Sequence, residues 1–162
     1  MRRLPLDSLA AKSKKKKPFV LFVCRHNTGR SQMAEAFLRH LAGDRVEVAS
    51  AGTIAAELPD AGVVAIMSEV GIDISAARPK LLDPEVVERA DRVITMGCDV
   101  EGVTRIDDDW GLPDPKGQPP ERVREIREMV KSKVALLLIA APALSNSRTG
   151  SRVSVKVAVQ RP

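Results

Sequence analysis

Phe19-Val20-Leu21-Phe22-Val23-Cys24-Arg25-His26-Asn27-Thr28-Gly29-Arg30-Ser31-Gln32-Met33 decides how this chain folds. Its first five residues are all apolar and strand-favouring, which leaves no polar face, so they read as a fully buried strand. Downstream, Met33, Phe37 and Leu41 recur at i, i+4 and i+8, the stripe of an amphipathic helix. Between strand and helix lies a turn with a cysteine at its start and an arginine six positions later. Such a turn aims several backbone N–H groups at one point, and the dipole of the following helix adds positive potential there. That nest binds a tetrahedral oxyanion, and Arg30 can lay two parallel N–H donors on two of its oxygens. The same field, with Ser31 as a hydroxyl donor to the sulfur, favours the thiolate of Cys24. The stretch therefore reads as a thiolate nucleophile held beneath a bound oxyanion. Thr28 and Gly29 belong to the binding backbone, and Arg25 and His26 are rim or loop-shaping residues. Asn27 is expected to bond loop backbone and hold the nest open.

Working outward, the strand and helix just named are the first two of an alternating series. Arg45 to Ser50 alternates apolar and polar residues and suits an edge strand, after which Ala51-Gly52-Thr53 turns away. Pro59 to Val70 carries Val63, Val64, Met67 and Val70 at helical spacing and closes on Gly71. Asp83-Pro84-Glu85 reads as an N-cap, a first-turn proline and a first-turn acid. Arg92 to Met96 is a third strand, Val103 to Ile106 a short fourth, and Asp107 to Gly117 a turn-rich loop. Pro120 to about Leu138 is a long helix with Val123, Ile126, Val130, Val134 and Leu137 on one stripe. Strands alternating with helices predict an α/β fold, a three-layer α/β/α sandwich around a four-stranded parallel sheet. Ligands in such sheets bind at the carboxyl ends of the strands, which puts the Cys24 loop, the loops after Ser50 and Met96, and the Asp114 loop at one end.

Composition narrows the function classes. With 162 residues the prior is one main domain. Aromatic residues make up 2% and tyrosine is absent, so the core must be built from Val, Ile, Leu and Met. Only Cys24 and Cys98 are cysteines and no secretory segment is evident, which points to the cytoplasm. No apolar run approaches a membrane span. The net charge of +5 is uneven: residues 1–18 carry +6 and residues 145–162 carry +4, leaving −5 between them. Lysines 14–17 have no aromatic interleaving or nucleic-acid motif beside them, so no nucleic-acid partner is expected. The expected organisation is a disordered basic arm over residues 1–17, a catalytic domain over 18–143 and a basic extension over 144–162. In that extension Val153, Val155, Val157 and Val159 alternate strictly. No bound cofactor or metal is expected, and the protein should be a monomer.

Cys-x5-Arg-Ser after a buried strand resembles the low-molecular-weight protein tyrosine phosphatase and arsenate reductase superfamily. The longer string with His26, Asn27, Gln32, Met33, Ala34 and Glu35 is more similar to its arsenate reductase branch, and the resemblance spans about residues 18 to 138. It implies a low-molecular-weight phosphatase-like fold, with Cys24 as nucleophile and Arg30 as oxyanion ligand. Asp114-Pro115 suits a second role. Expelling an oxygen from tetrahedral arsenic or phosphorus needs a proton donor, and an aspartate on a proline-stiffened loop can supply one. In the family an Asp-Pro in a late loop does this, which assigns the general acid to Asp114. Thioredoxin-coupled arsenate reductases use two further cysteines as a disulfide relay. Here only Cys98 is present, and Val100 to Thr104 holds no second one. Two routes stay open: an external low-molecular-weight thiol takes the arsenic from Cys24, with that thiol or a dithiol reductase as the reductant, or Cys98 resolves Cys24 directly. The phosphatase branch follows its Asp-Pro with two tyrosines, whereas this chain has Lys116-Gly117. Phosphotyrosine needs aromatic walls, so arsenate is the expected substrate, with phosphotyrosine hydrolysis the alternative and a redoxin the expected partner.

Overall fold

Strand β1 (Phe19–Cys24) is buried at every residue, as a run without a polar face requires. It pairs in parallel with β2 (Glu47–Gly52) on one side and β3 (Arg92–Thr95) on the other, with Cys24 opposite Gly52 and Val23 opposite Thr95. A two-residue strand β4 (Asp108–Asp109) completes a parallel sheet ordered β2-β1-β3-β4. The computed structural model describes residues 17–140. Nearly all of the basic arm and the whole of the extension, residues 1–16 and 141–162, lie outside the described residues.

Alternate side chains of β1 feed two cores. Val20, Phe22 and Cys24 join a large cluster with helices α1 (Arg30–Ala42), α2 (Ala61–Ser68) and α4 (Pro120–Ala140). Phe19, Leu21 and Val23 face a smaller one with Val87 of α3 (Pro84–Arg89). Helices thus cover both faces, which completes the three layers. On α4 the buried stripe is Val123, Ile126, Val130 and Val134. Full burial of one such side chain contributes about 1.5–3 kcal/mol. Local signals act where expected: Asp83 accepts the Glu85 N–H at 2.9 Å, with Pro84 in the first turn. Asp60, rather than Pro59, caps α2 by accepting the Val63 N–H at 3.1 Å.

Two expectations are corrected. Leu41 is 38% exposed, and Leu38, at 1%, takes its place beside Met33 and Phe37. The fourth strand is not Val103–Ile106 but Asp108–Asp109, paired with Ile94 and Thr95. Three adjacent aspartates are poor strand formers, so the pairing is imposed by tertiary anchors. Val93 and Asp107 exchange two bonds of 2.8 Å, and the Trp110 N–H donates to the Thr95 carbonyl at 2.9 Å. Trp110 itself is buried against Phe22, ring centroids 5.2 Å apart. Burying that indole dominates over the weak propensity of the residues leading to it.

Candidate active site

The Cys24 loop is held from outside. The Cys24, Arg25 and Thr28 carbonyls accept the N–H groups of Thr53, Ile54 and Asp60 at 3.3, 2.9 and 2.9 Å. The Asn27 carbonyl accepts Gln32 Nε2 at 3.1 Å, and that of Gly29 accepts the Met33 N–H at 3.0 Å. A trans peptide points its N–H opposite to its C=O. Because the carbonyls at 25, 27, 28 and 29 are engaged away from the loop centre, the His26, Thr28, Gly29 and Arg30 N–H groups point the opposite way. The next N–H, that of Asn27, donates to the Cys24 sulfur at 3.1 Å. The loop sits on Gly52, where a Cβ would come within 2.8 Å of the His26 carbonyl carbon and 2.9 Å of Arg25 O and Asn27 N. No larger residue fits there.

Asn27 is completely buried and is, among the described residues, the one non-glycine at positive φ, 56°. Its Oδ1 accepts the Lys80 backbone N–H at 3.0 Å and Gln32 Nε2 at 3.1 Å. Because a backbone N–H can only donate, this settles which end of the amide is oxygen. Its Nδ2 then donates to Ser31 Oγ at 2.8 Å and to Ser50 Oγ at 2.9 Å. Ser31 Oγ, which accepts the first of these bonds, keeps its own proton free and lies 2.8 Å from the Cys24 sulfur. A chain of hydrogen bonds thus runs from the Lys80 amide to that sulfur. The expected partner of Asn27 was loop backbone; instead its side chain bonds the side chains of Ser31, Ser50 and Gln32 and the distant Lys80 backbone N–H.

Arg30 is 8% exposed and gripped by one end: its Nη1 donates to the Met96 carbonyl at 3.1 Å and the Leu112 carbonyl at 2.5 Å. Nε and Nη2 make no hydrogen bond among the described contacts. The two carbonyls converge because Gly97, at φ 91°, lies against Gly111, where a Cβ would be 2.6 Å from its Cα. Asp114 follows on the Leu112 segment. Its Oδ1 accepts the Lys116 N–H at 3.0 Å, and the buried Pro115 packs its ring over Gly29.

Cys24, Arg25, His26, Thr28, Gly29, Arg30 and Asp114 line one cleft of 220 Å³, together with Cys98. Arg25 is exposed and His26 half-buried. Cys98 is half-buried, with the Arg25 N–H facing its sulfur. Burial pushes the Cys98 thiol up, opposed by the charge of Arg30 and reinforced by that of Cys24. Both cysteines are free thiols. Among the described residues no cluster of His, Cys, Asp and Glu could hold a metal ion, and no helix is long and apolar enough to cross a membrane.

Residues 19–105 match the family described as low molecular weight phosphotyrosine protein phosphatase. The chain belongs to this family. It is 39% identical over 125 residues to the glutaredoxin arsenate reductase of Synechocystis sp., an alignment covering 74% of this chain and 95% of that protein. Its fold superposes on an arsenate reductase in the phosphate binding state with a TM-score of 0.69 and 35% identity, over 76% of this chain and 98% of the other. A low molecular weight protein tyrosine phosphatase from T. tengcongensis superposes with a TM-score of 0.64 at 30% identity, over 76% and 99%. The family thus joins arsenate reductases and phosphatases on one α/β fold, as the sequence resemblance implies.

Several members of the site went unnoticed in the sequence of this phosphatase-family chain. Ser50, Gln32 and the Lys80 amide hold Asn27, and Gly52 and Gly97 allow close backbone approach. Gln32 lies in the string that carries the resemblance, and Ser50 and Gly52 at the turn that ends the second strand, so a signal for them existed. For Lys80 there was none, because only its backbone takes part.

Proposed function

We propose that this enzyme is an arsenate reductase in which Cys24 is the nucleophile, Arg30 and the loop N–H groups bind the oxyanion, and Asp114 is the general acid. The Cys24 thiolate attacks arsenic(V), and the departing oxygen takes a proton from Asp114 and leaves as water. A second thiol then attacks the Cys24 sulfur. A disulfide forms, the electron pair of the sulfur–arsenic bond stays on arsenic, and arsenite leaves with two electrons gained. The observation that carries this reading is Cys98 in the same cleft as Cys24, Arg30 and Asp114, in a chain without tyrosine. Hydrolysis needs one thiol, whereas two-electron reduction needs two. With no third cysteine, an external low-molecular-weight thiol is the favoured second one, and Cys98 is the internal alternative. A redoxin would then reduce the resulting disulfide, a reading supported by the glutaredoxin-named relative.

Phosphomonoester hydrolysis is the second reading, favoured by the phosphotyrosine phosphatase family match. It uses the same three residues, with water attacking a cysteinyl-phosphate. The test is a side-by-side assay of the purified protein on arsenate with several thiol donors and on an aryl phosphate. Arsenite production exceeding aryl phosphate turnover is expected. Brisk phosphotyrosine hydrolysis with no arsenate reduction by any donor would assign the enzyme to the phosphatases instead.

A further inference from the structure

Helix α4 has a second apolar stripe that the fold leaves uncovered. Its core stripe faces inward, while Met129 and Leu136 face out, 39% and 60% exposed, and Ile139 at the helix end is 74% exposed. Met129, Lys133 and Leu136 follow helical spacing. With Trp110, Leu112 and Pro113 opposite, they line a mainly apolar groove of 690 Å³, edged by Glu125 and Glu128. The groove lies behind the active site. The same Leu112 holds Arg30, and Pro113 leads into Asp114.

We propose that this groove is the docking site of the chain's own C-terminal extension, residues 144–162. Three observations identify the occupant. The first is reach: α4 is described as far as Ala140, four residues past the groove-lining Leu136, and 22 residues follow in the sequence. Doubling back from Ala140 to Glu125 means covering about 22 Å of helix, and 22 extended residues span up to about 70 Å. The second is pattern: Val153, Val155, Val157 and Val159 would form one apolar face of an extended segment, the shape a shallow apolar groove accepts. The third is charge. Residues 145–162 carry Arg148, Arg152, Lys156 and Arg161 and no acid. Glu125 and Glu128 on the groove edge are already paired with Arg122 and Arg127. However, Asp108 and Asp109 lie exposed on the outermost strand, next to Trp110, and no ion pair among the described residues engages them. A docked extension would supply their counter-charges and brace the segment that carries Leu112 and Asp114.

Hydrogen exchange of the full-length protein, followed peptide by peptide, tests this. Amides within 152–160 are expected to exchange at least tenfold more slowly than in the isolated peptide. The surface double variant Met129→Glu/Leu136→Glu is expected to release them, and Val155→Asp to do the same from the other partner. Exchange at the free-peptide rate in the unsubstituted protein would overturn the proposal. So would protection that ignores the Met129 and Leu136 substitutions, since the extension would then sit elsewhere. Protection that vanishes on dilution together with a dimer mass would assign the groove to a second copy instead.

Discussion

Ser31 Oγ stands 2.8 Å from the Cys24 sulfur and accepts Asn27 Nδ2, so its own proton is free to serve that sulfur once the sulfur is anionic. The Asn27 amide that makes this bond is itself oriented by the Lys80 backbone N–H. A hydroxyl donating to an anion contributes about 1.5–3 kcal/mol. Ser31→Ala should therefore lower kcat/KM on an aryl phosphate by roughly 10–100-fold. Steady-state kinetics beside a thermal melt would check this, the melt showing that the loop is still folded. A rate equal to the parent's would mean the thiolate does not depend on this donor.

Gly52→Ala acts on the same loop from beneath. The added methyl would stand 2.8–2.9 Å from backbone atoms of Arg25, His26 and Asn27, which cannot yield without breaking the Ile54 to Arg25 bond of 2.9 Å. Overpacking of this kind costs about 1–3 kcal/mol. Inhibition by inorganic phosphate should weaken by at least about tenfold, taking the lower part of that range as the displacement of the N–H groups. A normal phosphate inhibition constant in the variant would show that the loop tolerates the shift.

For Asp114→Asn the expected signature is selective. The side chain lines the cleft but bonds no part of the Cys24 loop among the described contacts. Aryl phosphates with poor leaving groups should turn over about 10²–10⁴-fold more slowly. Those with good leaving groups, and phosphate inhibition, should change little. A uniform loss across leaving groups would remove the general-acid assignment.

Cys98 yields a pH dependence. Its pKa is raised, chiefly by burial, so it stays a thiol through neutral pH and its thiolate grows in only above the ordinary cysteine range. Alkylation of Cys98, read by peptide mass spectrometry, should accordingly rise at higher pH than that of free N-acetylcysteine. In arsenate turnover Cys98→Ser should keep most activity, with the rate following external thiol concentration. A quantitative Cys24–Cys98 disulfide after one turnover, two hydrogens lighter, with indifference to small thiols, would make Cys98 the resolving residue.

The order of residues alone determined the strand–turn–helix that carries Cys24 and Arg30, and the parallel α/β sheet around it. These are local: a five-residue apolar run, a cysteine at its end and an arginine six positions on leave one strand–turn–helix reading. Caps such as Asp83-Pro84-Glu85 were equally legible, since a cap is made by neighbours in sequence. The tertiary structure alone decided what reaches across the chain. The backbone amide of Lys80 orients Asn27 from 53 residues away, and the Leu112 carbonyl grips Arg30 from 82. Burial of Trp110 on Phe22 moved the last strand from Val103–Ile106 to a pair of aspartates. A backbone amide or carbonyl is the same in every residue, so its partner carries no compositional mark. Only packing, which brings two distant segments to one place, selects which of them will bond.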